Sequence, residues 1–152
     1  MAVSTTQSIW RSGGGDQTRT AVCGSGVMTA QFYIADASVA SATNVKVSST
    51  SSTNLVLPAG AVITNVIITD AGAGSIDLGT IGVNSGTASG ASVANGLDVS
   101  ATANVAFPTA LTATPVAELS YLTVTIDTSG AGTVGGYLRY FVVDPYAGQQ
   151  NV

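Results

Sequence analysis

The chain contains no histidine and a single cysteine, Cys23. The missing imidazole removes the commonest general base, the usual partner of a Ser or Cys nucleophile and the commonest metal ligand at one stroke. Zinc centres built on several Cys and His are excluded with it. A lone cysteine closes no intramolecular disulfide, which fits folding in a reducing cytosol. Flanked by apolar and small residues, Cys23 reads as a small core hydrophobe. Charge is scarce as well: 8% of residues are charged, against roughly 25% in an ordinary soluble domain. The cations are Arg11, Arg19, Lys46 and Arg139, scattered through a chain of net charge −4. No basic run exists to neutralise phosphates, so nucleic acid is not an expected partner. No apolar stretch reaches the roughly 18 to 20 residues that span a bilayer. The opening MAVSTTQSIWRSGGG lacks the basic start and apolar run of a secretory signal. Neither a membrane partner nor an anchor is expected.

Carboxylates are the remaining candidates for chemistry: Asp16, Asp36, Asp70, Asp77, Asp98, Glu118, Asp127 and Asp144. Glycoside hydrolysis needs two of them facing each other. Six of the eight fall at expected strand ends or turns, where Asp satisfies its own backbone, and Asp77 alone sits within a strand candidate. A calcium loop would need closely spaced acidic ligands, and no D-x-D-x-D-G spacing is present. The glycine clusters Gly13-Gly14-Gly15 and Gly24-Ser25-Gly26 precede no helical pattern and no GK[ST], so they read as hinges and turns, not as phosphate cradles. The reading is therefore a protein that is not an enzyme, with no catalytic residue, cofactor or metal.

What the chain has in abundance is small residues and β-branched ones. Half of its 152 residues are Ala, Gly, Ser or Thr, and 45% are hydrophobic. Such a chain has room for one core and a surface finished in hydroxyls instead of charge. That surface suits a protein living against other protein chains. Helical periodicity is absent, while short apolar and β-branched runs recur between Gly, Asn, Asp and Pro. Strands are expected near 19–24, 26–35, 44–48, 62–68, 75–83, 110–114, 119–127 and 133–146. A turn is expected at Pro58-Ala59-Gly60, an exposed loop at 84–91, and a strand or irregular crossing at 97–106. The segment 62–68 is apolar on both faces and is expected in the middle of a sandwich or under a contact. In LSYLTVTID, Leu122, Val124 and Ile126 should face in, and Tyr121, Thr123 and Thr125 out. A hairpin should join this strand to TVGGYLRYFVVDPY. Eight to ten short strands at about ten-residue spacing specify an all-β fold, an antiparallel, jelly-roll-like β-sandwich. Residues 1–18 are expected to form an extended N-terminal arm, 19–146 a single sandwich domain and 147–152 a loose tail.

The run LPAGAVITNVIITD, then SIDLGTIGV, then the strand GGYLRYFVVDPY resembles the small cement, decoration or head-auxiliary proteins of tailed bacteriophages. The resemblance covers roughly residues 50 to 146. It implies a jelly roll or β-sandwich on the outer capsid surface of a virion, made in the host cytoplasm. It also implies binding to the major capsid protein and to copies of itself, commonly as a homotrimer, tying neighbouring capsid subunits together. Contact residues expected on this basis are Ile9, Trp10 and Arg11 on the arm, then Tyr140 and Tyr146 near the C-terminus. The alternatives are a head-fibre, tail or receptor- or carbohydrate-binding sandwich, or a single-jelly-roll shell subunit. A fibre should carry a repeat stalk, and none is present. Deleting residues 1–15 is expected to leave the domain folded and to weaken assembly on shells. Unchanged co-sedimentation with shells after that deletion would remove the arm from the contact.

Overall fold

The computed structural model describes residues 27–106, 114–129 and 132–143. The expected strand at 19–24, most of the one at 110–114, and the residues Ile9, Trp10, Arg11, Cys23 and Tyr146 lie outside them. Among the described residues the protein is all-β and antiparallel, with nine strands: β1 (Met28–Ile34), β2 (Thr43–Asn44), β3 (Val56–Leu57), β4 (Ala61–Asp70), β5 (Ser75–Gly82), β6 (Ala88–Asp98), β7 (Ala103–Ala106), β8 (Ser120–Ile126) and β9 (Val134–Val142). One sheet runs β1-β9-β4-β7 and the other β2-β8-β5-β6, with β3 added beside β2 on the edge of β8.

This order has a simple origin. Strand β5 pairs with β6, β4 with β7, β2 and β3 with β8, and β1 with β9. The chain is thus one long antiparallel ribbon folded at residues 83–87 and wound so that successive ribbon segments fall in opposite sheets. That is the jelly roll, a β-sandwich of two Greek keys. Between the sheets lies a single apolar cluster that includes Phe32, Leu57, Ile68, Ile76, Leu78, Leu97, Leu122 and Leu138, all of them buried.

The topology corrects the expected hairpin. Strands β8 and β9 do follow each other across a short turn, but β8 pairs with β5 and β9 with β1 and β4. In a wound ribbon only the two strands flanking the fold point are both consecutive and paired. Here those are β5 and β6, and every other connection among the described strands crosses the sandwich except that between β2 and β3, which both lie along β8. The loop expected over 84–91 is also corrected, since β6 begins at Ala88 and runs for 11 residues. Its Ala, Ser and Gly carry almost no β propensity, so pairing with β5 supplies what the local sequence does not. The strand expected at 44–48 is reduced to Thr43–Asn44 and a bridge at Lys46.

The expectation for β4 holds in substance, because it lies between β9 and β7. Its alternation, however, is interrupted. Ile63 opposes Tyr140 while Asn65 opposes Arg139, so Thr64 is the extra residue of a bulge. The bulge flips the parity, and Ala61, Ile63, Val66 and Ile68 all reach the core. Strand β8 alternates as expected at Leu122 and Val124, yet outward Thr123 is 1% exposed.

Strand β6 follows β5 irregularly. Leu78 opposes Ala94 and Thr80 opposes Ser89, so several β6 residues bulge out opposite Gly79. A Cβ on Gly79 would land on the carbonyl oxygens of Ser89 and Gly90, whereas one on Gly90 meets nothing. Gly79→Ala is expected to cost about 3 kcal/mol, a fall in Tm of roughly 10 °C. Gly90→Ala should stay within about 0.5 kcal/mol of the parent. Thermal denaturation compares the two, and equal effects would mean that the close approach at Gly79 is not what holds β6.

Candidate interaction surfaces

Directly opposed residues in neighbouring strands share a face, so the registers define what each sheet shows to solvent. On the second sheet, Val56, Tyr121, Ile81 and Ala88 stand in one row across β3, β8, β5 and β6. Leu57, Leu122 and Gly82 alternate with them and are buried. Just past the strand ends, Val83 and Leu119 continue the same parity and are tied together by the bond from Val83 N–H to the Leu119 carbonyl, 2.8 Å. Val56 is 37%, Val83 37% and Leu119 44% exposed, while Tyr121 and Ile81 are half-buried. None of these side chains is charged. Together they form a continuous apolar patch at one end of the outer face.

The first sheet shows a different face. Along β9, Leu138 and Val134 are buried, and Tyr137 between them is 39% exposed. Tyr137 stands between Gln31 of β1 and Ile67 of β4; Arg139 stands between Thr29 and Asn65; Phe141 opposes Val62. The Asn65 amide donates to the Asn104 Oδ1 at 3.0 Å. This surface mixes aromatic, amide and guanidinium groups.

Tyr140, the described member of the expected contact set, has the opposite parity. It shares a face with buried Ile63, is half-buried and packs against the core. Tyr140 is thus a core-side residue, and the aromatic groups that β9 presents outward are Tyr137 and Phe141. The sequence reading missed the Val56, Ile81, Val83 and Leu119 patch. Each of these is an ordinary strand residue, and only the register of three pairings brings them to one place. The legible signal was Tyr121, a large aromatic at an outward position.

A cavity of about 440 Å³ opens at the same end of the sandwich, lined by Thr80, Ser89, Ser92, Val116, Glu118 and Ser120 among others. Its hydroxyls bond one another: Thr80 to Ser89 at 2.9 Å and Ser89 to Ser92 at 2.8 Å. Glu118 fastens the fold point of the ribbon. Its Oε2 accepts the N–H groups of Asn84 at 3.2 Å and Ser85 at 3.4 Å. The Ser85 hydroxyl above all holds the Glu118 carboxyl below its ordinary value; desolvation pushes the other way, and the two N–H groups each add a lesser downward pull. Four other described carboxylates, Asp36, Asp77, Asp98 and Asp127, also bond to neighbouring groups. Asp36 and Asp98 accept from Ser38 and Ser100 two residues on, and both carboxyls are held below their ordinary values by those hydroxyls and N–H groups. Asp77 accepts the Gly96 N–H at 2.8 Å and so ties down a second β6 irregularity, between Leu97 and Ala94, where Gly96 takes a φ of 66°. Asp127 accepts from the Ser75 hydroxyl. Among the described residues the lining includes one carboxylate, Glu118.

Comparison with protein-family models, with curated proteins and with solved structures finds no match for this chain. The class that the fold defines is therefore the jelly-roll β-sandwich.

A carboxyl held below its ordinary value contributes its tether above the unfolded value and loses it as pH falls through the folded one. The Asn84 and Ser85 amides are thus expected to stay fixed at neutral pH and to shift only at pH below 4.5, the ordinary Glu118 value. Glu118→Gln should abolish that acid transition in their NMR resonances. A transition that persists in this variant would assign the tether to another group.

Proposed function

We propose that this protein is a structural virion component, a capsid cement or decoration protein without catalytic activity, that binds the outer shell of a tailed bacteriophage and ties neighbouring capsid subunits together. The observation that carries the reading is the uncharged patch of Val56, Tyr121, Ile81, Val83 and Leu119 on the outer face of the second sheet. The sandwich already has a closed core, so this patch is surplus to folding. A contiguous apolar patch with few charges around it marks a protein-contact surface. The resemblance of LPAGAVITNVIITD, SIDLGTIGV and GGYLRYFVVDPY to head-auxiliary proteins names the kind of partner, the major capsid protein together with further copies of the chain.

Physically, each contact need only be modest. Repetition over a symmetric shell multiplies small interfaces into a large avidity, and a trimer engages several shell subunits at once. Contacts built on Val, Leu, Ile and Tyr are weakly screened, so added salt should leave binding nearly unchanged. The outward Tyr121 supplies the kind of anchor that dominates interface energies.

Replacing Val56 and Leu119 together by Asp is expected to weaken binding to empty heads of the phage that carries this gene by at least about tenfold, or ~1.4 kcal/mol. Gln31→Asp on the opposite sheet should leave binding unchanged. Light scattering gives the mass of the free chain, and co-sedimentation gives the saturation ratio. A trimer that saturates heads at a fixed ratio supports the reading. Equal binding by the Asp double variant and the parent removes the patch from it. A monomer that ignores heads and binds glycans replaces it with a receptor- or carbohydrate-binding module.

A further inference from the structure

The chain has seven asparagines, and five of them precede Val or Leu. A bulky successor shields its own backbone nitrogen. The other two precede small residues, in Asn84-Ser85 and Asn95-Gly96. An asparagine before glycine is the pair most open to attack on its side-chain carbonyl by the next backbone nitrogen, because glycine has no Cβ to obstruct the approach. In both places the fold hands the proton of that nitrogen to a carboxylate. The Gly96 N–H donates to the Asp77 Oδ1 at 2.8 Å, and the Ser85 N–H to the Glu118 Oε2 at 3.4 Å. Asn95 and Gly96 together face the single residue Asp77, since Leu97 opposes Ile76 and Ala94 opposes Leu78. The pair is thus a bulge, with Asn95 exposed and Gly96 at a φ of 66°. A second carboxylate stands close: a Cβ on Gly96 would lie 3.4 Å from the Asp127 Oδ2.

We propose that Asn95 is a covalent modification site, a slow deamidation whose rate in the folded chain is set by Asp77. The only co-reactant is water. The Gly96 nitrogen gives up its proton and bonds to the Asn95 Cγ. The bond from Cγ to Nδ2 breaks, and the side-chain nitrogen leaves with that proton as ammonia. The resulting succinimide takes up one water at either carbonyl, giving aspartate or isoaspartate. The first step needs a Gly96 nitrogen without its proton, and Asp77 opposes this twice. It holds the N–H in a charge-assisted hydrogen bond, and a carboxylate beside the nitrogen disfavours its anion. Asp127 adds to the second effect. The bulge must therefore open locally before the reaction begins. The product places a new carboxylate next to Asp77, and isoaspartate adds one carbon to the backbone of β6. Both loosen the pairing with β5, so Asn95 records the age of the folded chain. The inference is independent of the capsid reading.

Peptide mapping by mass spectrometry on the full-length chain, stored at neutral pH, tests it. Conversion at Asn95 in the folded parent should be at least about tenfold slower than in the same chain unfolded in urea, the factor one hydrogen bond to a charged group supplies. In Asp77→Ala the folded chain should convert Asn95 at least about tenfold faster than the parent. Asn84, still held at Glu118, should keep its parental rate. An Asp77→Ala chain that has unfolded is recognised because both asparagines then accelerate together. By NMR, the Gly96 amide of the parent should exchange at least about tenfold more slowly than in the unfolded chain. A folded parent that converts Asn95 at the unfolded rate, or a folded Asp77→Ala chain that converts it no faster than the parent, overturns the proposal. So does the absence of product at Asn95 in both folded chains. Fast exchange at Gly96 in the parent overturns it as well, and that measurement holds even where Asp77→Ala fails to fold.

Discussion

Everything in this structure depends on pairing between distant parts of the chain. The first described strand, β1, is held by the last, β9, across seven residue pairs from Met28 with Tyr140 to Ile34 with Val134. Inside that pair lie β2 and β3 on β8, then β4 on β7, then β5 on β6. No strand buries its apolar side until a partner far away in sequence arrives, because the facing sheet is built from the alternate segments of the same ribbon. The core is therefore all-or-none. Such a topology closes long loops before contacts reward them, which makes folding slow, and it leaves strand edges open until assembly is complete.

Small residues make the winding possible. Gly79 lets the β6 backbone lie directly over β5, and Gly136 lets β9 approach the backbone of β4 at Ile67. Hydroxyls take over where the apolar core thins at the mouth, with Thr80, Ser89 and Ser92 bonded to one another in place of Leu and Val. The carboxylates follow the same economy: Glu118 secures the ribbon's fold point, and Asp77 secures the second irregularity of β6. Carboxylates spent on local N–H groups leave a surface finished in Ser and Thr, on which a patch of five apolar residues stands out.

Much of the fold was legible because burial writes itself into alternation. Leu122 and Val124 of β8, the two-faced apolar run of β4 and the turn at Pro58-Ala59-Gly60 all read directly from the sequence. Strand β6 did not, since ASGASVANGLD has too few apolar side chains to mark a face. The bulge at Thr64 escaped as well, because it reverses parity without any local sign such as glycine. Of the candidate contact surface, Tyr121 was legible as an outward aromatic. Val56, Ile81, Val83 and Leu119 were not, and Tyr140, half-buried, is turned towards the core by the parity of β9.

By itself the sequence determined the chemistry that is missing and the class of structure that is present. Absent histidine and few charges restrict the functional groups, and β-branched alternation broken by turn residues forces strands, because both are properties of single residues and their near neighbours. Only the tertiary structure decided which strands pair, and with that the jelly-roll order, the crossing between β8 and β9, and the assembly of Val56, Tyr121 and Ile81 into one surface. Register between distant strands is set by how all the side chains fill one shared core. No local stretch of sequence contains that information.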